Sequence, residues 1–404
     1  MDKRSTLPPM ADDTAGLQTD DSLAPPEPEA DHGRRPDRPL RIGIICPYSL
    51  TVPGGVQMQV LGLARELRRR GHEARVLGPC DGPPPESFVT PIGNSLPTAA
   101  NGSVAPLAPD PPAVMRTIRV LDEEAFDVVH VHEPLAPGPS VTAVLTHRHP
   151  TVGTFHAAGV SAMYRLLSPF LSRLINRIDR KVVVSKDALA LVQSYLGGSY
   201  EVLFNGVEVA QIQRAATMQR EPGARPAVFF CGRHETRKGL SVLLDAFGQV
   251  STDAELWIAG TGPDTDELKR RAGDDERITW LGRVSDEEKF ARLKAADVFC
   301  APSLGGESFG VVLIEAMAAG TTVVASSLDG YQNVATHDRD ALLSPPGDAA
   351  ALAASLDTAL SDPALGERLR AAGTERARSF AMAALADRYL DIYRELIDAR
   401  RART

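Results

Sequence analysis

The sequence predicts an α/β protein with two Rossmann-like domains, each a doubly wound parallel sheet, facing each other across a cleft. Short apolar runs alternate with amphipathic segments over most of the chain, which is the pattern of parallel strands joined by helices. The alternation breaks around 205–224 and then begins again, and 404 residues is long for one domain. We therefore predict a first domain at 39–210 and a second at 211–380, with the boundary near 205–226.

The stretch before the first domain, residues 1–38, is rich in Pro, Asp and Glu and poor in apolar side chains. Such a segment cannot bury enough apolar surface to offset the entropy that is lost when a chain becomes ordered. We predict that it is a disordered, solvated tail.

The first domain begins with the run RIGIIC at 41–46, whose continuous apolar character fits a buried parallel strand. A glycine-containing loop leads from it into a helix predicted at about 56–70. That helix is amphipathic, ends in arginines that suit the C-terminal dipole, and is followed by Gly71 as a cap. Later strands are predicted at 74–77, 128–132 and 182–185.

The second domain is predicted to begin with an apolar strand at 227–231 and to continue with the same alternation. Its later strands are predicted at 256–260, 278–281, 298–301 and 322–325. A last amphipathic helix is predicted at about 382–400, in a closing segment at 381–404.

The composition argues against several classes of protein. A net charge of −8 argues against nucleic-acid binding, and no apolar run is long enough for a transmembrane helix. The N-terminus has no apolar core after its charges, so no secretory signal is predicted. The cysteines form no C-x2-C pair, and Cys46, Cys231 and Cys300 are interpreted as buried thiols of a reducing compartment.

The most informative stretch is 302–326, PSLGGESFGVVLIEAMAAGTTVVAS. Glu307 follows loop glycines whose backbone N–H groups, at a helix start, suit an anion. Glu315 lies in the apolar run 311–319, where a carboxylate is unfavourable unless another group accepts its charge. One interpretation is a sugar-nucleotide site, in which one acid meets the sugar and the other the ribose hydroxyls. The alternative is that Glu307 only complements the helix dipole and that Glu315 reaches water.

These residues, E-x7-E within ESFG-x4-EAMA-x-G, resemble the signature of retaining glycosyltransferases of the GT-B fold. Within that superfamily the chain is most similar to the actinobacterial phosphatidylinositol mannosyltransferases, whose sequence blocks occur here in the family's order. The matching blocks are CPYS (46–49), VPGGVQ (52–57), NGSVA (101–105), HVHEP (130–134), TFH (154–156), NGV (205–207), GR-x4-KG (232–239) and GGESFG (305–310).

The resemblance implies a hexosyltransferase that moves mannose from GDP-mannose to phosphatidyl-myo-inositol with retention of configuration. It implies a cytoplasmic enzyme, peripheral at the inner face of the plasma membrane, whose terminal helix crosses back to the first domain. The expected partners are a sugar nucleotide and phosphatidylinositol or another lipid acceptor, with weak contact to an anionic membrane surface and no nucleic acid. No cofactor and no metal are expected.

Two cations follow the first strand of the second domain, Arg233 and Lys238. A diphosphate leaving group gains negative charge as the glycosidic bond breaks, and both groups would stabilise that charge in the transition state. Arg237, between them, is interpreted as a solvated surface cation. The donor-binding residues that the resemblance implies are Gly55, Arg233, Lys238, Glu307, Ser308, Phe309, Gly310 and Glu315.

His156 follows the apolar run 152–155 and looks like the family's active-site histidine near the sugar, although a lone histidine after a strand is more often structural. His130 and His132, beside Glu133, are interpreted as structural or pocket-wall groups. The implied catalytic residues are His156, Arg233, Lys238 and Glu307. The implied acceptor-binding residues are Tyr48, Gln57, Asn101 and Ser103.

A formal D-x-D sequence at Asp264, Thr265 and Asp266 is the pattern that binds a divalent metal in other glycosyltransferases. Here it lies between Gly-Pro and a helix predicted at 267–271, so we interpret it as helix capping and dipole complementation. No metal site is predicted.

The chain departs from the family where the lipid is expected. The segment 111–120, which carries a basic cluster in the family, has only Arg116 and Arg119, worth about 1 kcal/mol each toward an anionic surface. Pro106 and Ser161 stand where an arginine and a lysine are usual. Apolar residues could supply membrane contact, or could form an ordinary core-facing helix; they are Met163, Leu166, Leu167, Phe170 and Leu171.

Two alternatives stay open. The same fold and donor chemistry could serve a different lipid or small-molecule acceptor, or the chain could bind sugar nucleotides without turnover. The intact set of candidate site residues argues against loss of turnover; they are Gly55, His156, Arg233, Lys238, Glu307 and Glu315.

Overall fold

The structure, a computed structural model, describes residues 38–100, 103–146, 148–156, 171–307 and 309–403. Residues 1–37 of the predicted tail at 1–38 lie outside these residues, as do Met163, Leu166, Leu167 and Phe170 of the predicted apolar segment. Leu171, the last residue of that segment, is described, and its side chain is buried.

The first sheet contains seven parallel strands, and a two-stranded antiparallel hairpin lies between the third and fourth of them in the chain. The strands up to this point are β1 (Arg41–Ile45), β2 (Glu73–Gly78), β3 (Val89–Pro91), the hairpin β4 (Leu96–Ala100) and β5 (Ser103–Leu107), then β6 (Val128–His132), β7 (Thr151–Phe155), β8 (Arg180–Val183) and β9 (Glu201–Val202). Their order in the sheet is β3-β2-β1-β6-β7-β8-β9. β6 and β7 are buried along their whole length and β1 at four of its five positions, as expected for parallel strands that are covered on both faces.

The second sheet contains six parallel strands. These are β10 (Ala227–Cys231), β11 (Glu255–Ala259), β12 (Ile278–Gly282), β13 (Val298–Ala301), β14 (Thr322–Ser326) and β15 (Leu342–Ser344). Their order in the sheet is β12-β11-β10-β13-β14-β15. This is a doubly wound order, in which the strand order reverses once, between β10 and β13. The predicted fold class of two Rossmann-like parallel-sheet domains is therefore confirmed.

Helices cover both faces of each sheet. They are α1 (Gly55–Arg69), α2 (Pro111–Glu123), α3 (Pro139–Thr146), α4 (Lys186–Leu196), α5 (Val209–Arg214), α6 (Leu240–Phe247), α7 (Thr265–Ala272), α8 (Asp286–Ala295), α9 (Val311–Ala319), α10 (Asp329–Gln332), α11 (Ala349–Ser361), α12 (Pro363–Arg378) and α13 (Met382–Arg401). A 3₁₀ turn covers Thr236–Lys238. Among the helices that the structure describes, none is long and apolar enough to cross a membrane.

The last helix, α13, packs on the first sheet beside α1. Its buried side chains, which include Tyr389 and Tyr393, join the same apolar cluster as β1 and α1. The chain passes between the two sheets twice, and these passages pair: Val207 N donates to Phe380 O at 2.8 Å, and Met382 N donates to Val207 O at 2.7 Å. The amide of Gln59 in α1 exchanges two hydrogen bonds with the backbone of Gly206, at 2.7 and 2.9 Å.

One predicted strand boundary and one predicted burial are wrong. The strand predicted at 182–185 ends at Val183, because Ser185 Oγ accepts a hydrogen bond from Ala188 N at 3.0 Å and so caps α4. Cys231 is only half-buried, whereas Cys46, Cys80 and Cys300 are buried; all four are free thiols.

Candidate active site

Each sheet has one point at which the winding reverses, between β1 and β6 in the first sheet and between β10 and β13 in the second. Ligands of doubly wound sheets bind beyond the carboxyl ends of the strands at such points. Tyr48 and Glu133 follow β1 and β6, and Arg233 and Glu307 follow β10 and β13. The sequence candidates therefore lie at the two places where the topology opens a crevice.

The loops after β10 and β13 touch through their backbones. Leu304 N donates to Arg237 O at 2.7 Å. Gly239 has a φ of +66°, and a Cβ there would lie 1.9 Å from the carbonyl oxygen of Pro302. Only glycine fits this left-handed position and close approach, so the glycine of the GR-x4-KG block brings the two loops together.

Glu307 accepts hydrogen bonds from both loops. Lys238 Nζ lies 2.5 Å from Glu307 Oε1, and Ser303 Oγ donates to the same oxygen at 3.1 Å. Arg237 Nη1 is 3.4 Å from that oxygen and also reaches the carbonyl of Gly306. Arg237 is 45% exposed, as interpreted for a surface cation, and it pairs with Glu235 at 2.6 Å besides reaching Glu307.

Arg233 differs from Lys238 in its surroundings. Its side chain is 68% exposed, and its nearest carboxylate is Glu235 at 3.8 Å. Lys238, in contrast, is 19% exposed and held by Glu307. An anionic ligand between these loops would meet one exposed guanidinium and one ammonium that is already positioned.

Glu315 is buried in α9, with 6% of its side chain exposed. Lys289 Nζ, from α8, lies 2.9 Å from Glu315 Oε1 and 3.1 Å from Asp286 Oδ1. The alternative in which Glu315 reaches water is therefore wrong. Burial alone would lower the pKa of Lys289, but the Glu315 and Asp286 carboxylates raise it above the usual value, so the ammonium stays charged.

Lys289 was missed by the sequence analysis. It lies far from Glu315 in the chain and in a helix whose other residues are mostly charged. The sequence indicates only that a cation must neutralise the buried Glu315 carboxylate, and it does not indicate that this cation is Lys289.

The remaining described donor candidates, Phe309 and Gly310, could contact a ligand only through their backbones. The buried ring of Phe309 stacks on Phe204 with centroids 5.2 Å apart and meets Phe380 edge-on, so only its backbone is left for a ligand. Gly310 precedes α9 with a φ of +95°, and a Cβ there would lie 2.9 Å from the Tyr331 ring. Ser308 lies outside the described residues.

His156, directly after β7, is held at two points. Its backbone N–H donates to Glu133 Oε1 at 2.7 Å, and its Nε2 lies 2.8 Å from His132 Nδ1. Glu133 itself has a φ of +45°, a left-handed conformation that a residue with a side chain adopts only at a cost of about 1–2 kcal/mol. His130 and His132 are interpreted from the sequence as structural or pocket-wall groups, and the structure shows that His132 and Glu133 both contact the candidate His156.

Three histidines lie in a row, with His130 stacked on His132 and His132 hydrogen-bonded to His156. The ring centroids of His130 and His132 are 4.4 Å apart, and those of His132 and His156 are 5.1 Å apart. Burial lowers the pKa of His130 and of His156 to about 3 and lowers that of His132 well below its usual value. All three rings are therefore neutral near pH 7.

The acceptor candidates and Gly55 lie on the loop after β1, in the first turn of α1 and on the hairpin. Tyr48 pairs through its backbone with Leu107, and burial, with the Glu133 charge, raises the pKa of its phenol. Gln57 Nε2 donates to Ser49 O at 3.3 Å and so braces this loop. A Cβ on Gly55, the first residue of α1, would meet nothing within 4 Å.

The hairpin candidates are only partly described. Asn101 lies outside the described residues. Ser103 begins β5 and pairs through its backbone with Ala100.

The D-x-D sequence does not behave as a side-chain cap. Asp264 occupies the N-cap position of α7, but its carboxylate accepts from Thr236 Oγ1 at 3.0 Å instead of from the helix backbone. The predicted capping bond is therefore wrong, whereas Asp266 does lie in the acidic first turn. Within the described part of the chain, no group of three or more His, Cys, Asp or Glu could hold a metal ion.

The basic residues of α2 differ from each other. Arg119 pairs with Glu123 at 2.7 Å, whereas Arg116 donates to the carbonyl of Ile92 at 2.8 Å. Arg116 lines a cavity of about 300 Å³ with Cys80, Pro91, Gly93 and Asn94.

Two family models match the chain, one described as "Glycosyltransferase Family 4" over residues 53–211 and one described as "Glycosyl transferases group 1" over residues 225–362. A phosphatidyl-myo-inositol mannosyltransferase of Mycobacterium leprae (strain TN) is 42% identical over 366 residues, which cover 88% of this chain and 96% of that protein. The enzyme of the same name from Mycolicibacterium smegmatis (strain ATCC 700084 / mc(2)155) is 39% identical over 368 residues, 88% of this chain and 93% of that protein. Among solved structures, a glycosyltransferase from Rickettsia africae ESF-5 superposes with a TM-score of 0.71 at 17% identity, covering 89% of this chain and 99% of that one.

Proposed function

Because this chain belongs to the family of phosphatidyl-myo-inositol mannosyltransferases, we propose that it transfers mannose from GDP-mannose to phosphatidyl-myo-inositol with retention of configuration. The observation that carries the proposal is the arrangement of Arg233, Lys238, Glu307 and Glu315 on the loops and helix around the second reversal point. It supplies cations suited to a diphosphate and carboxylates suited to hydroxyl groups around the same reversal point.

Arg233 and Lys238 would act on the leaving group. Cleavage of the bond between the sugar and the diphosphate leaves additional negative charge on the departing oxygen. A guanidinium and an ammonium fixed in a crevice stabilise that charge more in the transition state than in the ground state, which is the condition for catalysis. We assign Glu307 to the sugar hydroxyls, since it can accept hydrogen bonds while Lys238 holds it in place.

Glu315 would bind the ribose, and its neighbours favour guanine as the base. Lys289 and Asp286 lie next to Glu315, with the ammonium 3.1 Å from the Asp286 carboxylate. The edge of guanine presents a carbonyl acceptor beside N–H donors, which matches an ammonium donor beside a carboxylate acceptor. The family resemblance implies GDP-mannose as the donor, and the ammonium beside a carboxylate supports guanine as its base.

We assign the acceptor to the first domain and the donor to the second. Tyr48 lies on the loop at the first reversal point, and Gly55 and Gln57 lie in the first turn of α1. The hairpin packs on that loop through Ser49 N, which donates to Pro106 O at 2.9 Å. Transfer requires no metal in this proposal, because Arg233 and Lys238 take the role of a divalent cation at the diphosphate.

A lipid acceptor requires the first domain to approach a bilayer, so we propose peripheral association with the cytoplasmic face of the plasma membrane. Arg116 supports electrostatic attraction to anionic head groups because no carboxylate lies within ion-pair distance of it among the described residues. The second candidate function, transfer of the same sugar to another lipid or a small molecule, is favoured by Pro106 at the position where the family has an arginine.

A product analysis tests the proposal. The protein is incubated with GDP-mannose, GDP-glucose, UDP-glucose or UDP-galactose, each with and without phosphatidylinositol, and the products are identified by mass. We expect a lipid one hexose heavier from GDP-mannose. Transfer to the lipid from a uridine nucleotide alone would overturn the donor assignment, and hexose transfer only to a soluble acceptor would overturn the lipid assignment.

A further inference from the structure

We infer that His132 is a positioning residue that fixes His156 in the tautomer with its ring proton on Nδ1. This inference rests on the proposed function for the part that His156 plays in sugar transfer. The assignment of the tautomer itself depends only on the contacts of the two rings.

The two rings share one hydrogen bond. His132 Nδ1 and His156 Nε2 are 2.8 Å apart, and the ring planes are inclined by 25°. Burial lowers the pKa of both side chains, so both are neutral near pH 7. In a pair of neutral imidazoles one nitrogen donates and the other accepts, so the tautomer of one ring determines the tautomer of the other.

The second nitrogen of His132 decides which ring donates. His132 is 2% exposed, and its Nε2 is buried without a hydrogen-bond partner in the described chain. If Nε2 carried the proton, a buried N–H group would have no acceptor, and orphaned buried N–H groups are rarer than acceptors left without a donor. The proton of His132 therefore belongs on Nδ1, which donates to His156 Nε2. His156 must then carry its own proton on Nδ1.

The His132 ring also packs against the His130 ring. The rings stack at 4.4 Å with planes 28° apart, so His132 cannot turn without displacing its neighbour. Both nitrogens of His130 are bonded, Nδ1 to Tyr393 O–H at 2.7 Å and Nε2 to Thr154 Oγ1 at 2.8 Å. Tyr389 O–H lies 2.9 Å from the same Thr154 oxygen. The terminal helix α13 thus anchors a row of histidines that ends at the candidate catalytic ring.

His156 is fixed at its backbone by Glu133 and at its ring by His132. With Nε2 accepting from His132, the nitrogen assigned to the ligand is Nδ1, and it is a donor. A donor held in a fixed orientation suits a sugar hydroxyl or an oxygen that gains negative charge. Without His132 the ring could rotate and could carry its proton on either nitrogen, so its orientation would no longer be set before the ligand binds.

Nuclear magnetic resonance of the unmodified chain tests the tautomer without any substitution at the pair. The full chain is labelled with 15N-histidine, and the His156 ring signals are assigned by their disappearance in His156→Gln. We expect His156 with a protonated Nδ1 and an unprotonated Nε2 at pH 7. A His156 ring protonated on Nε2, or one that is an even mixture of tautomers, would overturn the inference.

Three variants of His132 test the positioning role. An asparagine amide lies near the position of Nδ1 and can still donate to His156, whereas a glutamine amide lies nearer Nε2, and leucine offers no donor. We expect His132→Asn to keep transfer within about threefold of the parent, and His132→Gln and His132→Leu to lower kcat at least about tenfold with little change in the KM for GDP-mannose. His132→Leu is also expected to leave His156 as a mixture of tautomers.

Unchanged kcat in His132→Leu, or equal losses in the asparagine and glutamine variants at equal melting temperature, would overturn the positioning role. The outcomes also separate the two proposals. If the unmodified protein transfers no mannose but its His156 ring is protonated on Nδ1, the proposed function fails while the tautomer assignment stands.

Discussion

Lys238 and Glu307 form an ion pair across the two loops of the second reversal point, with Nζ 2.5 Å from Oε1. From the sequence alone the two residues have separate predicted roles, Lys238 at the diphosphate and Glu307 at the sugar. The pair shows that each also positions the other, because Glu307 is 13% exposed and Lys238 supplies its closest cation. Substitutions at either residue should therefore be interpreted for both.

We predict that Arg233→Ala and Lys238→Ala each lower turnover by more than tenfold while the fold is kept. Loss of one donor to a developing negative charge costs about 3 kcal/mol. Arg270→Ala is the matched control, since Arg270 is a well-exposed cation on α7 that pairs with Glu267. Turnover is measured at saturating donor, with the melting temperature of each variant. Near-normal turnover in both variants would remove the leaving-group role.

We predict different effects for the two acids. Glu315→Gln should weaken nucleotide binding, because ribose hydroxyls bond to it in the ground and transition states alike, whereas Glu307→Gln should mainly slow the chemical step. Titration calorimetry with GDP and single-turnover kinetics measure the two effects separately. Unaltered GDP affinity in Glu315→Gln would contradict the ribose assignment.

Glu315→Gln also removes the closest counter-ion of Lys289, so we expect a loss of about 1–3 kcal/mol in the free energy of unfolding. The double variant Glu315→Gln/Lys289→Gln tests the stability effect by itself, because it leaves no buried ammonium that has lost one of its two carboxylates. Stability should recover in it. Stability as low as in Glu315→Gln alone would show that the Lys289 ion pair is not the cause of the loss.

We predict that EDTA leaves transfer largely unchanged. The carboxylate of Asp264 accepts a hydrogen bond from Thr236, and Asp266 lies in the first turn of α7. Neither carboxylate is therefore arranged to bind a metal ion that would bridge to the diphosphate. Transfer is measured with EDTA and again after addition of magnesium or manganese. Activity that is lost with EDTA and restored by the metal would show that the D-x-D sequence does bind a cation.

We predict that the free energy of unfolding falls as the pH is lowered from about 6.5 toward 3, partly through His130. Burial lowers the pKa of His130 to about 3 in the folded state, so the unfolded chain takes up its proton first as the pH falls. The stability is fully present above the unfolded pKa and is lost at about 1.4 kcal/mol per pH unit for a single such group. Urea unfolding of the parent and of His130→Gln between pH 7 and 5 should show a shallower slope in the variant. Parallel slopes would contradict this assignment.

We predict weak, salt-sensitive binding to anionic vesicles. Arg116 donates only to a backbone carbonyl, whereas the charge of Arg119 is matched by Glu123, so Arg116→Ala should weaken binding by about 1 kcal/mol and Arg119→Ala should have less effect. Sedimentation with phosphatidylinositol vesicles at low and high salt measures both variants. Equal effects of the two substitutions would show that α2 does not contact the surface through Arg116.

The sequence predicts the strands best, because a parallel strand buried on both faces must be apolar along its length. The runs at 41–46, 227–231 and 298–301 are strands within one residue of their predicted ends. The strand predicted at 182–185 was shifted, since Ser185 belongs to the cap of α4 and not to the strand. The short edge strand β9 was not predicted because it is only half-buried and mixed in character.

The candidate site was harder to predict than the strands, because its contacts join residues far apart in the chain. Lys289 reaches Glu315 from another helix, and no local pattern indicates which cation accepts the charge. The pairing of His132 with His156 did have a signal, since the two residues end neighbouring parallel strands in register, with His132 opposite Thr154. The orientation of each ring, which carries the tautomer argument, depends on packing against Tyr389 and Tyr393 and could not be predicted from spacing.

The measurement that tests the account most directly is the structure of the lipid product made from GDP-mannose and phosphatidylinositol by the unmodified protein. The product is purified, its mass is determined, and the anomeric configuration of the new linkage is assigned by nuclear magnetic resonance. The account predicts a single hexose on the inositol of the lipid, in the α configuration that the donor has. A β linkage, or the absence of any mannosylated phosphatidylinositol while GDP-mannose is consumed, would contradict it.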